Sequence, residues 1–470
     1  MTAYLLEGFK RDSVYSHRGI SGEDQLSQNQ LRSWLVLGFQ QPRGRLNRVG
    51  RIAIVGAGIA GLGAARLLAD GNDVVIYESA DRLGGHARTI SVDRPGCGKV
   101  AVDTGFIVYN EVNYPRLTAL FAELGIETAS TNMSFGVSAG GLEMCGSSLS
   151  GVFAQRRNFF SRDHWVMLRD ILRFFRLAPD VLSSTRDPSL GEMINELQVG
   201  ARARDNFLVP MGAAIWSTPA GQILDMPAKT FVRFFQVHNL LSASGHHAWR
   251  TVAGGSRVYV EALSRLLTSR LRVDVRCRAA VRSVVQLASG RHEVITGDGA
   301  RDEFDDVVLA CHADTALALI RQPTRDETAV LSAFSYRDNH AVLHGDTRLM
   351  PKARAAWASW IYTGCSAGGA DSVSVTYWMN QLQNLPGPPL FVTLNPSREI
   401  DERTVIDRHT FRHPVLSRGS VAAQARLPEI QGKRGLWFCG AWARYGFHED
   451  GLWSASEVAK AMQVRRPAWA

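Results

Sequence analysis

The chain has 470 residues and a formal net charge of +9, and 45% of its residues are hydrophobic and 21% charged. This length predicts two or three domains, and the composition is typical of a globular enzyme. No apolar run approaches the roughly 18 residues of a membrane-spanning helix, and no nucleic-acid-binding motif accompanies the positive charge, so we expect no nucleic-acid partner.

The six cysteines form no C-x-x-C pair, and none stands at zinc-ligand spacing with a histidine. This pattern predicts free thiols in a reducing compartment, and therefore a cytoplasmic protein without a metal site.

Residues 1–50 differ in composition from the rest of the chain. They hold Gln, Ser, Arg and Gly without sustained hydrophobic periodicity and end in QQPRGRLNRVG. Such a segment predicts a loosely ordered extension, so we expect the folded chain to begin at Arg51.

A strand–helix–strand unit follows. RIAIVGAG predicts a β-strand ending in glycines, IAGLGAARLLADG a small-residue helix closed by Gly71, and DVVIYE a second strand. Gly56, Gly58 and Gly61 match G-x-G-x-x-G between the first strand and the helix. The first glycine allows a tight turn, the second lets the backbone approach a pyrophosphate, and the third lets helix and strand pack closely. The unit predicts a dinucleotide held at the helix N-terminus.

A second glycine turn narrows the choice of dinucleotide. Glu78 ends the second strand, where its carboxylate can accept hydrogen bonds from ribose hydroxyls, and its charge disfavours the 2′-phosphate of NADP. Arg82, Gly84 and Gly85 continue the pattern as E-x-x-x-R-x-G-G. A nicotinamide dinucleotide needs no second turn, whereas the longer FAD extends past the pyrophosphate and needs more backbone at close range.

The later part of the chain alternates between helical and strand patterns. Helical periodicity dominates residues 160–270, and residues 281–310 predict strands separated by glycine-rich turns. More strand-like runs follow between residues 340 and 395. The chain closes with GLWFCGA as a strand and a helix from about Gly451.

Three segments resemble the superfamily of amine oxidases, phytoene desaturases and protoporphyrinogen oxidases. They are the E-x-x-x-R-x-G-G turn, VAGGSRVYVEAL (252–263) and FCGAWARYGFHEDGLWSASEVAKAM (438–462). The resemblance implies FAD as cofactor, and a last helix that begins near Asp450–Leu452 and directs N–H groups at the flavin. The cofactor-binding residues that we expect are Gly56, Gly58, Ala60, Gly61, Glu78, Arg82, Gly84, Gly85, His86, Thr104, Gly105, Val281, Gly440, Asp450 and Leu452.

A closer resemblance covers residues 51–462. The motifs GGHART, FLVPMGAAIWSTP, VVLACHAD and GFHEDGL are similar to those of bacterial FAD-dependent oxidoreductases that also resemble the N-terminal oxidase-like half of plant cyclopropane fatty acid synthases. This resemblance implies a fatty acyl substrate and a lipid methyltransferase as partner. Two features depart from the pattern: residues 1–50 have no counterpart, and Trp453 and Ala455 stand where the group has a basic residue and a glycine.

The predicted fold class is α/β, with an FAD-binding Rossmann-like domain and an inserted α+β substrate domain. We expect the FAD-binding domain to combine three segments and the substrate domain to combine a mainly helical and a strand-rich one. The FAD-binding segments are 51–130, 251–320 and 426–470, and the substrate segments are 131–250 and 321–425.

The candidate catalytic residues are His448, Tyr445 and Trp216. His448 lies where the last strand meets the last helix, and it either acts as acid or base near neutral pH or only hydrogen-bonds the cofactor or the backbone. Trp216 is either a wall of the substrate pocket or part of the core. Thr104 and Gly105 follow a strand and either approach the flavin or form a plain structural turn.

Residues 206–241 bear on the substrate because their only charged side chains are Asp225, Lys229 and Arg233. This composition suits an apolar pocket with few polar anchors, and an ordinary buried helix pair explains it as well.

The segment RDHWVMLRDILRFFR (162–176) predicts an amphipathic helix with an arginine stripe and Trp165 at its boundary. Such a helix either makes peripheral contact with an anionic membrane or packs on the core with a solvated basic face.

Together these features predict an FAD-dependent oxidoreductase that passes hydride from an apolar, fatty acyl substrate to the flavin. The rival enzyme is an amine or small-metabolite oxidase, although HEDGL differs from the E-G-A pattern typical of amine oxidases. The rival from another class is a flavin-bound, non-catalytic partner of a lipid methyltransferase. The sequence does not predict the oligomeric state.

Overall fold

The computed structural model describes residues 50–364, 373–464 and 467, so the expectation for the extension 1–50 lies outside the described residues except at Gly50. The strands are β1 (Arg51–Val55), β2 (Asp73–Tyr77), β3 (Thr89–Arg94), β4 (Gly98–Asp103), β5 (Tyr109–Asn110), β6 (Thr128–Thr131), β7 (Phe135–Ala139), β8 (Leu142–Cys145), β9 (Trp249–Val252), β10 (Asp274–Arg276), β11 (Val281–Gln286), β12 (His292–Thr296), β13 (Arg301–Phe304), β14 (Asp306–Leu309), β15 (Tyr336–His344), β16 (Trp360–Thr363), β17 (Ser374–Trp378), β18 (Phe391–Leu394), β19 (Val405–Pro414) and β20 (Leu436–Phe438). The α-helices are α1 (Ile59–Leu68), α2 (Pro115–Leu124), α3 (Leu149–Val152), α4 (Arg162–Leu177), α5 (Leu190–Glu196), α6 (Ala201–Ala203), α7 (Val209–Trp216), α8 (Ala220–Asp225), α9 (Ala228–Val237), α10 (Arg257–Arg265), α11 (Ala313–Leu319), α12 (Arg325–Leu331), α13 (Met379–Leu382), α14 (Arg418–Arg426) and α15 (His448–Ala461).

A five-stranded parallel sheet contains the predicted strand–helix–strand unit. Its strand order is β10-β2-β1-β14-β20, and β1 pairs with β2 on one side and with β14 on the other. After its first residue, each of β1 and β2 is buried throughout, as expected for parallel strands covered on both faces. The carboxyl ends of these strands meet at one edge, which is where ligands bind in sheets of this kind.

Helix α1 packs closely against the closing helix α15. A Cβ on Gly63 would lie 2.7 Å from Leu452, and a Cβ on Gly451 would lie 2.8 Å from Ile59. Both glycines therefore let the two helices approach each other. The closing segment thus returns to the first turn of α1.

The start of the closing helix was predicted wrongly, because α15 begins at His448 and not near Gly451 or Leu452. The Gly451 N–H donates to the Phe447 carbonyl, and the Asp450 carboxylate accepts the Phe447 N–H at 2.9 Å. The N-cap residue is Phe447, which is not one of the residue types that mark the start of a helix in a sequence. The N–H groups left free by the helix belong to residues 448–450, and the Leu452 N–H is not among them.

A seven-stranded mixed sheet has the order β19-β15-β18-β17-β16-β7-β8. Strands β7 and β8 precede the helical segment in sequence, yet β7 pairs in parallel with β16. The helical residues 149–237 pack against this sheet through a buried cluster that includes Val137 and Trp216. The two predicted substrate segments, 131–250 and 321–425, therefore share one sheet, and their limits as a domain stay a prediction.

The remaining secondary structure follows the predicted pattern. Residues 160–270 are mainly helical, interrupted by β9, and residues 281–310 contain β11 to β14. Within the described ranges, no helix is both long and apolar enough to cross a membrane.

Candidate functional site

The first glycine turn connects β1 to α1, and the fold itself requires two of its three glycines. Gly56 has φ +102°, and a Cβ there would lie 2.9 Å from the Ala310 carbonyl oxygen. A Cβ on Gly61 would overlap the Gly56 carbonyl oxygen. These two positions therefore fix the turn and the close packing of α1 on it.

Gly58 is different, because no protein atom requires it to be glycine. Its φ of −73° suits any residue, and a Cβ there would meet nothing within 4 Å. Gly58 is also the N-cap of α1, where no side chain accepts a hydrogen bond, and the first helical bond runs from Leu62 N–H to the Gly58 carbonyl. The N–H groups of the first turn, Ala60 included, and the open space at Gly58 fit the approach of a pyrophosphate.

The second glycine turn lies directly against the first. Gly84 N–H donates to the Ala57 carbonyl at 2.9 Å, and Gly84 forms a parallel bridge with Gly58. Gly85 has φ +56°, and its Cβ would lie 3.2 Å from the Cα of Gly58. Both turns thus present backbone, without side chains, to the same space.

Arg82 shapes the second turn. Its guanidinium donates to the carbonyls of Gly85 at 2.9 Å and Ala87 at 3.1 Å, with a longer bond to Leu83 at 3.4 Å. These donors close the turn around the glycines. Cofactor binding by Arg82 stays a prediction, and the observed bonds of its guanidinium go to the backbone of the turn.

Glu78 is oriented by backbone donors at the end of β2. One carboxylate oxygen accepts Ala57 N–H and the other accepts Ala80 N–H, each at 2.8 Å. Oε1 also accepts the Ser79 hydroxyl at 3.2 Å, whereas Oε2, which accepts Ala57 N–H, keeps a further lone pair that can accept a hydrogen bond from a ribose hydroxyl. The chain preceding β11 runs alongside, because Ala279 N–H donates to the Glu78 carbonyl, and this brings Val281 to the same end of the sheet.

Asp103, which directly precedes the predicted residues Thr104 and Gly105, ties several segments together. Its buried carboxylate accepts the Ser256 N–H at 2.9 Å, the Thr89 hydroxyl at 2.5 Å and the Gln383 amide at 2.8 Å. Burial raises its pKa to about 6 despite these donors. Asp103 thereby fixes the turn that carries Thr104, and its partners are too distant in sequence for a local pattern to reveal them.

Thr104 and Gly105 lie beside His86. Thr104 N–H donates to the Arg88 carbonyl and Phe106 N–H to the His86 carbonyl, each at 2.9 Å. A Cβ on Gly105 would overlap the His86 carbonyl oxygen. The structure therefore brings these predicted residues together and explains Gly105 by packing.

His86 belongs to a cluster of half-buried imidazoles that the sequence did not predict. Its ring centroid lies 5.0 Å from Phe411, 5.4 Å from His413 and 6.3 Å from His312. Burial lowers the pKa of His86 well below its usual value and lowers those of His312 and His413 to about 4. The cluster is therefore neutral near pH 7. Within the described chain, its His86 Nε2 has no hydrogen-bond partner.

His448 lies under the 104–106 turn. Its ring stacks on Phe106 at 3.9 Å, and its Nε2 lies 3.1 Å from the Tyr259 hydroxyl. Burial lowers its pKa to about 3, which makes it a weak proton acceptor near neutral pH. These contacts favour the hydrogen-bonding role over proton transfer, and catalysis by His448 stays a prediction.

Trp216 and Tyr445 both contact the ring of Phe234. Ring centroids lie 4.9 Å apart for Trp216 and Phe234, 5.6 Å for Tyr445 and Phe234, and 5.1 Å for Phe447 and Phe234. Within the described residues, Trp216 Nε1 has no hydrogen-bond partner. We call Trp216, Phe234, Tyr445 and Phe447 the aromatic wall. Phe447 connects this wall to His448, the first residue of α15.

Gly440 and the acidic residues of the closing segment have structural partners. A Cβ on Gly440 would overlap the Trp442 indole, and its N–H donates to Ser454 Oγ at 2.9 Å. Glu449 accepts the Arg116 and Leu117 N–H groups and so caps helix α2. Burial raises the pKa of Glu449 to about 7. The segment therefore holds the end of the parallel sheet, α2 and α15 together.

Comparison with known families gives one match that spans most of the chain. A family model described as flavin containing amine oxidoreductase matches residues 59–343. A protein that carries the name of a flavin-containing monoamine oxidase, AofH, from Mycobacterium tuberculosis is 26% identical over 275 residues, which are 55% of this chain and 56% of that protein. The match thus spans little more than half the length of this curated relative.

Solved structures of similar fold cover nearly the whole described chain. A fatty acid isomerase from P. acnes that produces CLA has a TM-score of 0.62 at 15% identity, covering 88% of this chain and 99% of its own. Putrescine oxidase bound to putrescine has a TM-score of 0.62 at 14% identity, with 88% and 99% covered. At these identities the likeness establishes the fold alone, and it confirms the predicted α/β class.

Proposed function

The chain belongs to the family of flavin-containing amine oxidoreductases and is an FAD-dependent enzyme, and we propose that it oxidises or desaturates an apolar, fatty acyl substrate. Bound FAD supplies a two-electron acceptor. The chain's own residues would hold that group by the backbone of Gly58 and the first turn of α1 at the pyrophosphate, and by the Glu78 carboxylate at the ribose.

The aromatic wall is the observation that carries the acyl proposal. Phe234 and its three aromatic neighbours offer shape and apolar surface, without a carboxylate among them. An unactivated acyl chain has no polar handle near the reacting carbon, so such a site must position it by shape and exclude water. Residues 206–241, which supply Trp216 and Phe234, are correspondingly poor in charge.

Two charged groups beside the wall pair with each other: Arg444 Nε lies 3.8 Å from the Asp450 carboxylate, which also accepts the Phe447 N–H at 2.9 Å. The Arg444 guanidinium lies 5.6 Å from the Tyr445 ring centroid and 4.8 Å from that of Trp453. These cation–π contacts engage the aromatic groups that would otherwise attract an ammonium ion. Because Arg444 and the Phe447 N–H already engage the Asp450 carboxylate, it does not offer an ammonium ion an open partner, which supports an uncharged substrate.

An amine substrate is the second candidate, favoured by the family match and by the names of AofH and putrescine oxidase. The finer resemblance to the oxidase-like half of plant cyclopropane fatty acid synthases supports the acyl candidate instead. The same resemblance supports a lipid methyltransferase as partner, and a flavin-bound, non-catalytic role beside that partner is the third reading.

Lipid extracts separate these proposals. We would express the wild type and the Gly58→Val variant in the same host and compare their phospholipid acyl chains by mass spectrometry. The acyl proposal predicts chains that have lost two hydrogen atoms in the wild type and not in the variant. Identical lipid profiles in the two strains would contradict it.

A further inference from the structure

The segment from α3 to the start of α4 carries the two most exposed large apolar side chains of the described residues, Phe160 and Leu149, and a third, Phe159. Phe160 is 86% exposed, Leu149 67% and Phe159 54%. Exposed apolar side chains that stand singly are ordinary on protein surfaces, whereas a group of them marks an interaction site. We call residues 149–165 the aromatic tip.

The aromatic tip is held by internal contacts and by helix caps. The Phe159 ring lies 5.3 Å from Phe160 and 5.4 Å from Phe153, and Trp165 Nε1 donates to the Phe159 carbonyl at 2.8 Å. Ser161 caps the N-terminus of α4 by accepting the His164 N–H. The two exposed phenylalanines are thus presented by an ordered frame.

Positive charge surrounds these apolar groups. Arg156, Arg157 and Arg162 are exposed on the tip. The acidic side chain within residues 149–165 is Asp163, whose carboxylate pairs with Arg202 at 3.0 Å. The tip therefore combines an apolar centre with a basic rim.

We propose that the aromatic tip docks this protein on the surface of an anionic phospholipid bilayer. Phe159, Phe160 and Leu149 would enter the boundary between headgroups and acyl chains, and the arginines would contact lipid phosphates. Apolar insertion and attraction to anionic lipid together make such binding stable. The docking stands independently of the substrate of the enzyme.

This surface differs from the arginine stripe of residues 162–176 that the sequence predicted. Arg169 pairs with Asp170 at 2.9 Å, and Arg173 donates to Gln198 at 3.3 Å. Both arginines therefore have protein partners. We therefore place the proposed membrane contact at the turn before α4 and not on the face of α4.

A bilayer fits the aromatic tip better than a second copy of the chain does. In a symmetric dimer the same patch meets itself, so the basic rims of two copies would face each other. Like charges at that distance oppose association. An anionic bilayer offers the opposite charge around an apolar interior.

The test is sedimentation of the full-length, FAD-loaded protein with vesicles of phosphatidylglycerol and phosphatidylethanolamine. We expect the protein to sediment with them at low salt and to be released as salt screens the exposed charges, over about 10 Å at 0.1 M. Vesicles of phosphatidylcholine alone should bind at least about tenfold less. A wild type that stays in the supernatant with anionic vesicles at low salt would overturn the proposal.

Two variants and matched controls locate the contact. Phe159→Ser with Phe160→Ser should weaken binding by about tenfold or more, whereas Val112→Ser, which changes a 61% exposed side chain elsewhere, should not. Replacing the rim arginines Arg156, Arg157 and Arg162 by Gln should also weaken vesicle binding. Replacing three other exposed arginines by Gln, at equal net charge, should leave binding unchanged; these are Arg270, Arg282 and Arg325. An equal loss of vesicle binding in the variants and in their controls would contradict docking by the aromatic tip.

Two further measurements distinguish a lost membrane contact from a folding defect or a lost contact between copies of the chain. Flavin content and melting temperature should match the wild type in every variant, so that a folding defect is recognised. Sedimentation velocity should give the same species for the wild type and for Phe160→Ser. A dimer that the substitution dissociates would assign the tip to a contact between copies and overturn the bilayer proposal.

Discussion

The two glycine turns and the aromatic wall differ in the kind of atoms that they present, backbone at the turns and side chains at the wall. At the turns, Gly58, Gly84 and Gly85 present backbone, and neighbouring carbonyls and N–H groups fix its position. At the wall, Trp216 and Phe234 present large side chains that pack against one another. We therefore expect backbone geometry to hold FAD at the turns and side-chain volume to shape the proposed substrate site.

This difference determines how each region responds to substitution. A turn in direct contact with a pyrophosphate has no room for a side chain, so a larger residue there should abolish FAD binding completely. A wall of packed rings loses volume gradually, because neighbouring side chains relax into the space left behind. The two regions are also separable, since changes at the wall should leave the cofactor bound.

Gly58→Val should produce the largest effect, complete loss of FAD from a folded protein. The backbone of Gly58 suits valine, and a Cβ there meets no protein atom, so the side chain would occupy the place of the pyrophosphate. Absorbance of the purified protein measures bound flavin. Gly146→Val is the matched control, because a Cβ at Gly146 also meets nothing within 4 Å. Retention of FAD by Gly58→Val would contradict the proposed contact between Gly58 and the pyrophosphate.

Trp216→Ala should abolish substrate-dependent flavin reduction while FAD stays bound. Removing a buried tryptophan costs about 3–5 kcal/mol of stability, so the assay needs a control of equal cost. Phe174→Ala provides it, since Phe174 is fully buried in the same helical core without belonging to the wall. If both variants lose reduction equally, the wall has no special role beyond packing.

Acidification should destabilise both regions through their half-buried histidines. The pKa values of His312 and His413 beside the turns and of His238 beside Phe234 are each lowered to about 4 by burial. Between pH 6.5 and 4 the unfolded chain binds protons that the folded chain does not, so the unfolding free energy falls as pH falls. Each of these histidines lowers the unfolding free energy by up to about 1.4 kcal/mol per pH unit.

Urea unfolding at pH 7 and pH 5 measures this loss. His413→Asn should reduce the difference between the two pH values, because it removes one of the titrating groups. The raised pKa values of Asp103 and Glu449 act in the opposite direction over this range, so the wild type and the variant are compared. A pH dependence that His413→Asn leaves unchanged would show that this imidazole is solvated in the folded protein.

Arg82→Lys should have the smallest effect, a roughly tenfold weaker affinity for FAD. A lysine cannot reach the carbonyls of Gly85 and Ala87 together in the geometry of the guanidinium. Titration of the apoprotein with FAD measures the change. An unchanged affinity would mean that the glycine turn needs no support from this side chain.

Features encoded within a short stretch were predictable from the sequence. The parallel unit of β1, α1 and β2 follows from strand periodicity and the glycine spacing, and Glu78 lies at the end of its strand as expected. The start of α15 was not predictable, because Asp450 reaches back to cap the helix from inside its first turn.

Features built by distant segments could not be predicted. His86 meets His312 and His413 only after the parallel sheet and β19 have come together. Phe234 was not recognised as the centre of the wall, because helix periodicity marks a buried residue without naming its partners. The exposure of Phe160 was missed for the same reason.

Anaerobic mixing of the oxidised enzyme with candidate substrates tests the central claim most directly. Phospholipids with unsaturated or methyl-branched chains would be compared with a panel of amines, with flavin absorbance recorded over time. We expect the lipids to bleach the flavin of the wild type and not that of Trp216→Ala, and the amines to bleach neither. Bleaching by amines and not by lipids would contradict the acyl proposal, and bleaching by neither would leave the non-catalytic role.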